Sequence, residues 1–398
     1  MNHQIHLLLV SAALAAGEGL GALFPTFCEA YPIVAAALVF VILLGYGFSC
    51  RGWHLAAVFL FGLLAFQLAA REREATLRAS PWLRTARRTQ AGCVADHPLA
   101  APARSARRSL SRRVGLGLEH ARDVAQLNRA ILLGERGRLP RQLRNLFADA
   151  GTIHVFAISG LHVMIVAKTL VILLSALFCP LRFAGLVAIP ILWAYVAVIG
   201  FPPSAVRAGT MASIYFLAPV FWRKPDLLRA WSLTFLLVHL VNPLGIADVG
   251  SLLSFAVMLA IALACALPGR PASALGSALR ISLAAWSAGV PIVAHVFGRI
   301  TPGGLLANFA LIPAAEVTVS AGVVGTLASF VSETLAAHLN NLSALFTVLM
   351  VEISRATASL PGANIVVAPW SIGGCLAYYL ALALAVWLSF RLRSRRCF

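Results

Sequence analysis

Most residues of this 398-residue chain that could do chemistry stand inside otherwise apolar runs. The first group is Gly151-Thr152-Ile153-His154-Val155-Phe156-Ala157-Ile158-Ser159-Gly160-Leu161-His162-Val163. His154 and His162 are eight residues apart, about two helical turns, so one helix would carry both on one face. Ser159-Gly160 between them marks a local break, and broken helices at membrane depth line protein or a watery cavity. That favours a polar pathway over two histidines flanking a helix entry at the membrane surface. The second group runs from Gly200 to Ala208. Pro202 and Pro203 end one helix, and Ser204 can cap the next. Arg207 then falls in the first turn of a span. It either snorkels to headgroups or faces a cavity, where its planar fork suits phosphate.

The third group is Asn242-Pro243 followed by Asp248-Val249-Gly250-Ser251-Leu252-Leu253-Ser254-Phe255. Asn242 and Asp248 bracket a turn outside the membrane. Ser254 sits one turn into a span, where such a hydroxyl often bonds the i−4 carbonyl. The fourth is Phe297-Gly298-Arg299-Ile300-Thr301-Pro302-Gly303-Gly304 with Asn308, whose glycines allow close helix approach. No GxxxxGK[ST], HExxH or GxSxG string is present, so neither P-loop ATP hydrolysis nor a standard hydrolase is indicated. A hydrolase built from His154, His162 and Asp248 is a remote alternative. The seven cysteines form no CxxC or Cys/His metal spacing, and most lie in or beside apolar spans as small hydrophobes. No cofactor, metal site or catalytic residue is expected.

The elements that must position these groups follow from composition. The chain is 60% hydrophobic and only 12% charged, about half the charge of a soluble domain. Runs such as Ile5–Leu23, Tyr31–Phe48, Trp53–Ala70 and Trp370–Phe390 can each cross about 30 Å of hydrocarbon as helix. The expectation is an all-α polytopic membrane protein with about 11–12 transmembrane helices. Spans are predicted near 5–24, 31–49, 53–70, 152–178, 183–200, 205–222, 228–241, 247–267, 279–297, 303–328 and 367–390. The more polar stretch 331–357 either crosses or lies in the interface. Three units follow: an N-terminal three-helix segment (1–70), an Arg-rich insert with amphipathic helices (71–150), and a membrane domain (151–398). The first run lacks a basic leader and is followed at once by two more, so it reads as a retained span.

The net charge is +18, and Lys168 and Lys224 are the only lysines. The insert alone holds 17 arginines against seven acidic residues. Such an excess suits an anionic partner, nucleic acid or lipid headgroups, although a solvated loop would also carry it. Leu118, Val124, Leu127 and Ile131 recur at helical spacing, as do Leu143 and Phe147, whereas 71–117 has little periodicity. With a cytoplasmic N-terminus, Arg51, Arg182, the Arg223/Lys224/Arg229 cluster and the Arg270/Arg280 loop all fall inside, as short basic loops do. The insert is then extracytoplasmic. Arg104, Arg107, Arg108, Arg112 and Arg113 are its candidate residues for such an anionic partner.

Those polar segments, in this order, resemble the ComEC-type competence proteins, a DNA-internalisation channel family. The resemblance rests on Gly134-Glu135, His154 with Ala157 to His162, Ser204 with Arg207 and Ala208, Asn242-Pro243, and Gly250 with Leu253, Ser254 and Phe255. Thr301-Pro302, Asn308 and Pro313 also fit. It covers roughly residues 125 to 330. It implies an inner-membrane channel for single-stranded DNA during transformation, lined by His154, Ser159, Gly160, His162, Ser204, Arg207, Asn242, Asp248, Ser254 and Asn308. It also implies partners besides DNA and lipid: an outer-face DNA receptor, a cytosolic ATP-driven motor and single-strand DNA-binding proteins. Two departures stand out. The stretch 71–117 is short for the OB-like domain of full-length relatives, and no HxHxDH string marks a metallo-β-lactamase-like domain before Phe398. Two readings stay open: a separate nuclease as a further partner, or a minimal or degenerate member of the family. The alternatives are a transporter of a small anionic or lipid-linked substrate, and a non-transporting scaffold.

Overall fold

The computed structural model describes residues 100–398 apart from 136–139, 157, 242–247, 267–272 and 395–398. The three N-terminal spans, the insert up to residue 99 and Asn242 lie outside the described residues. Within them the chain is all helical save one two-stranded ribbon. The order is α1 (Ala100–Val114), α2 (Arg122–Leu133), α3 (Arg141–Asp149), α4 (Ile153–Phe156), α5 (Gly160–Ala176), α6 (Leu181–Val198) and α7 (Pro203–Leu217). Then come α8 (Leu227–Val241), α9 (Val249–Ala266), α10 (Ala274–Phe297), β1 (Arg299–Ile300), α11 (Pro302–Ala328), α12 (Glu333–Ala358), β2 (Ile365–Val366) and α13 (Ile372–Ser394). Among the described residues five helices are long and apolar enough to cross a membrane: α6, α9, α10, α11 and α12. Residues Gly160–Ala176, Leu227–His239 and Ile372–Val386 form shorter apolar helices. The protein is a multi-pass membrane protein.

Polar caps set the helix starts. Ser273 accepts from Gly276 N at 3.0 Å and starts α10; Ser332 accepts from Leu335 N at 3.3 Å and starts α12. Asp226 Oδ1 takes the Leu228 and Arg229 amides at 2.9 and 3.0 Å, and Asp248 Oδ2 takes Ser251 N at 3.0 Å. Each satisfies donors that a helix N-terminus leaves open. The stretch 331–357, ambiguous from sequence, resolves as one 26-residue helix packed back along α11. β1 and β2 pair antiparallel, Arg299 opposite Val366, and tie the start of α11 to the segment before α13.

Following the helices up and down sorts the loops between two ends. The starts of α5, α7, α9, α11 and α13 share one end with the β ribbon. The opposite end carries Arg182, Trp222 to Lys224, Arg229 and the α11–α12 turn. Phe178 and Trp222 stand there 97% and 85% exposed, and the Arg182 guanidinium lies 3.6 Å from the Trp222 ring centroid. An aromatic and basic rim of this kind suits a membrane–water interface.

The insert departs most from what periodicity suggests. Residues 100–114, with little apolar repeat, form a helix, and α1 and α2 fold into a hairpin packed among the long helices. α1 lies against α6 and α11, and α2 against α11 and α12. Leu127, Ile131 and Phe147 share one core with Val163, Leu192 and Leu311. Among apolar helices in lipid, association comes from close packing and interhelical hydrogen bonds rather than water exclusion. Both are present. Gly322 faces Leu132 so closely that a Cβ there would lie 2.4 Å from Leu132 Cδ1. Asn128, 0% exposed, accepts from Ser343 Oγ at 3.0 Å and Thr347 Oγ1 at 2.9 Å. Asn340 Nδ2 donates to the carbonyls of Arg113 and Leu116 at 2.8 and 3.1 Å. A polar seam on α12 thus holds the hairpin in register.

Candidate functional site

The sequence groups converge at the end where α5, α7, α9 and α11 begin. The first group is broken, as Ser159-Gly160 suggests: α4 stops at Phe156 and α5 starts at Gly160. A break strands backbone groups, and here side chains take up two of them, the Ile158 carbonyl and the Ser159 amide. Ser204 Oγ donates to the Ile158 carbonyl at 2.9 Å. This differs from the expected capping role: Pro202 occupies the N-cap of α7, and the Ser204 hydroxyl reaches across to the break instead. His162 Nδ1 accepts from the Ser159 amide at 3.4 Å and lies 3.1 Å from Ser159 Oγ. The ring is 0% exposed.

The expected common face for His154 and His162 therefore fails on geometry, because no continuous helix joins them. His162 is a buried cap for α5, closed off from any lumen in this conformation. His154 sits on α4, hydrogen-bonded to the Asn308 side chain. Gly160 packs near Ala208 of α7.

Arg207 neither snorkels nor opens to a cavity. It is 7% exposed, and its Nη2 donates to the Gly250 carbonyl at 3.0 Å. Its guanidinium lies 5.9 Å from the Phe255 ring centroid, with the Asp248 charge close by. Arg207 thus ties the start of α7 to the start of α9. Ser254 is part-exposed on α9. Around Phe255, Trp231 Nε1 donates to its carbonyl at 2.9 Å, and the His239 ring lies tilted against its ring with centroids 5.2 Å apart. His239 Nδ1 donates to the Phe235 carbonyl at 2.8 Å.

Two glycines close the end. Gly134, at φ 70°, stops α2 in a left-handed turn, and a Cβ there would sit 2.5 Å from Ile158 Cδ1. Gly151, also at φ 70°, lies against Thr301 and Gly304. Glu135 lies 3.9 Å from Arg107 Nε.

The insert arginines divide into two sets. Arg107 Nη2 donates to the Leu133 carbonyl at 2.7 Å. Arg113 Nη1 donates to Ser329 O at 2.8 Å and Ser329 Oγ at 2.9 Å, and its guanidinium is 3.9 Å from the Phe330 ring centroid. These two fasten α1 to the bundle. Arg104, Arg108 and Arg112 recur every fourth residue on the exposed side of the same helix. Among the described residues no group of three His, Cys, Asp or Glu could hold a metal ion.

Sequence reasoning missed the clasp on the Ile158 carbonyl, the Trp231 and His239 surround of Phe255, and Asn128. It also missed an ion pair between Lys168 of α5 and Glu316 of α11. A charge inside each apolar run was the available signal for that pair.

The fold and this assembled end define a polytopic all-α membrane protein whose polar segments knit successive helix starts together. The profile of the Competence protein family matches residues 131–392, well over half of the chain, and the chain belongs to that family. It is similar to ComE operon protein 3 of Bacillus subtilis (strain 168), with 27% identity over 192 residues. That match covers 48% of this chain and 25% of the relative, so the chain spans a minor part of the relative's length. No solved structure matches it.

Proposed function

We propose that the chain forms part of a channel that carries single-stranded DNA across the bacterial inner membrane into the cytoplasm during transformation. The observation that carries the proposal is the arginine face of α1. Arg113 anchors this helix at the α11–α12 turn, and Arg107 reaches Leu133 beside the α4–α5 break. The helix therefore runs alongside spanning helices at membrane depth. Arg104 to Arg112 covers roughly 12 Å of helix. Each arginine facing lipid there costs about 3 kcal/mol on insertion scales, so three would cost on the order of 9 kcal/mol. Facing water removes that cost. A water-filled route walled by guanidinium groups fits a polyanion, whose phosphates they can hold bidentately.

Orientation supports the reading. Arg182, Arg223, Lys224 and Arg229 gather at one end, which the positive-inside rule assigns to the cytoplasm. The end where the sequence groups meet then faces outward, and α1 leads from it towards the cytoplasm. An outer-face DNA receptor, a cytosolic ATP-driven motor and single-strand DNA-binding proteins are the partners such a route would engage. The chain itself acts as conduit rather than enzyme.

The test is genetic and direct. Deleting the gene should abolish internalisation of labelled DNA while surface-bound DNA persists. Purified protein in liposomes should pass labelled single strands. Continued internalisation in the deletion strain, or flux of small anions without DNA, overturns the proposal.

A further inference from the structure

Lys168 and Glu316 form an ion pair midway along two packed helices, α5 and α11. Lys168 is about halfway along α5 and Glu316 about halfway along α11. Their side chains are 61% and 43% exposed. One residue further along α5, Thr169 Oγ1 meets Ser320 Oγ at 2.9 Å, so the same helix–helix seam carries a neutral rung beside the charged one.

An open pair of charges at this depth has two possible surroundings. Against lipid it is costly, since both groups are stripped of water with half their surface unpaired. Against water the cost vanishes, and so does most of the clasping strength, because an exposed ion pair holds almost nothing together. Residue choice points the same way. The chain has 32 basic residues, and only Lys168 and Lys224 are lysine. A permanent clasp on a carboxylate suits the bidentate fork of arginine. A flexible ammonium point charge is the easier group to release.

We propose that Lys168 and Glu316 lie on the wall of the water-filled passage and form an exchangeable phosphate site. With the passage empty, Glu316 neutralises Lys168. A phosphodiester of the moving strand takes the ammonium, and Glu316 recovers it as the phosphate leaves. The carboxylate keeps the lysine from holding any one phosphate for long, which a conduit needs and a binding site does not. The DNA part of this inference rests on the function proposed above; the aqueous position of the pair does not.

Two measurements separate these parts. Lys168→Cys and Glu316→Cys are placed singly in a chain freed of its seven cysteines. A charged, membrane-impermeant methanethiosulfonate is applied to spheroplasts and to inverted vesicles. Both cysteines should react, whereas Val187→Cys on the exposed apolar face of α6 should not. Two unreactive cysteines overturn the proposal. For transport, Lys168→Gln leaves Glu316 bare to repel phosphate, and internalisation should fall about tenfold at matched protein level, the equivalent of one charge-assisted hydrogen bond. Glu316→Gln should stay within about twofold of wild type on the same scale. A clasp predicts otherwise: equal losses from both Gln variants, which would sink the exchange site. If both cysteines react and the wild-type chain moves no DNA, the function proposed above fails while the wall position stands.

Discussion

Two polar regions of this protein do opposite things with the same residue types. At the end where α5, α7, α9 and α11 begin, Ser159, His162, Ser204 and Arg207 turn inward onto backbone amides and carbonyls. Along α1, Arg104, Arg108 and Arg112 turn outward. The first region carries the most specific strings in the sequence, and its contacts are those of architecture. The second has no specific string, and its exposed charge is what an anion would meet. In a membrane an interrupted helix exposes backbone groups that lipid cannot satisfy, so the residues that mend the break are as constrained as any ligand site. A specific motif can therefore mark a mended break rather than a pore lining.

The largest effect expected from this comparison is on Arg207. Arg207→Ala removes a buried charged donor from the Gly250 carbonyl and leaves Asp248 without its counter-charge. The loss should be about 3 kcal/mol of stability. Thermal unfolding in detergent should show it together with lower protein abundance, and Arg207→Lys should fall between wild type and Ala. Unchanged unfolding with lost DNA uptake would move Arg207 from architecture to the conduit and break the comparison.

Next come the residues of the break. His162→Leu should cost roughly 2 kcal/mol, because the Ser159 amide loses its acceptor in a buried setting. His162→Gln offers a replacement oxygen and should recover much of that. Ser204→Ala strips the Ile158 carbonyl of its hydroxyl donor and should cost about 1 kcal/mol. All three are read by unfolding midpoint in detergent. A destabilised His162→Gln equal to Leu would mean the imidazole does something a polar cap does not.

The smallest effect on stability belongs to α1. Arg108→Gln and Arg112→Gln together should shift stability by less than about 0.5 kcal/mol. DNA association should nevertheless weaken, and its salt dependence should flatten by about one unit for each phosphate left without its arginine. Arg107→Gln and Arg113→Gln, which cut the ties to Leu133 and Ser329, should instead destabilise the hairpin. If the two sets behave alike, the division of the insert is unfounded.

Much of the helix layout is legible along the chain, for particular reasons. Runs such as Leu181–Val198 and Val249–Ala266 are long and apolar, and only helices satisfy the backbone in lipid. The Ser159-Gly160 break is legible because a capping serine beside glycine interrupts an otherwise continuous run. The helix of residues 100–114 is not, since its apolar positions are few and its partners, Ser329, Phe330 and Asn340, lie more than 200 residues away. The partner of Ser204 escapes the sequence for the same reason: capping is a local rule, and the Ile158 carbonyl is 46 residues distant.

The sequence by itself determined the class of molecule: an all-helical membrane protein, broken at residue 159, basic in its insert, and resembling one family. Local composition suffices there, because hydropathy and helix capping act over a few turns. Only the tertiary structure decided which polar side chains face inward. Arg107 and Arg108 are neighbours of identical chemistry, yet one holds the Leu133 carbonyl and the other faces outward. That choice depends on which helix lies alongside, a neighbour set by packing across the whole bundle and written in no short stretch of the chain.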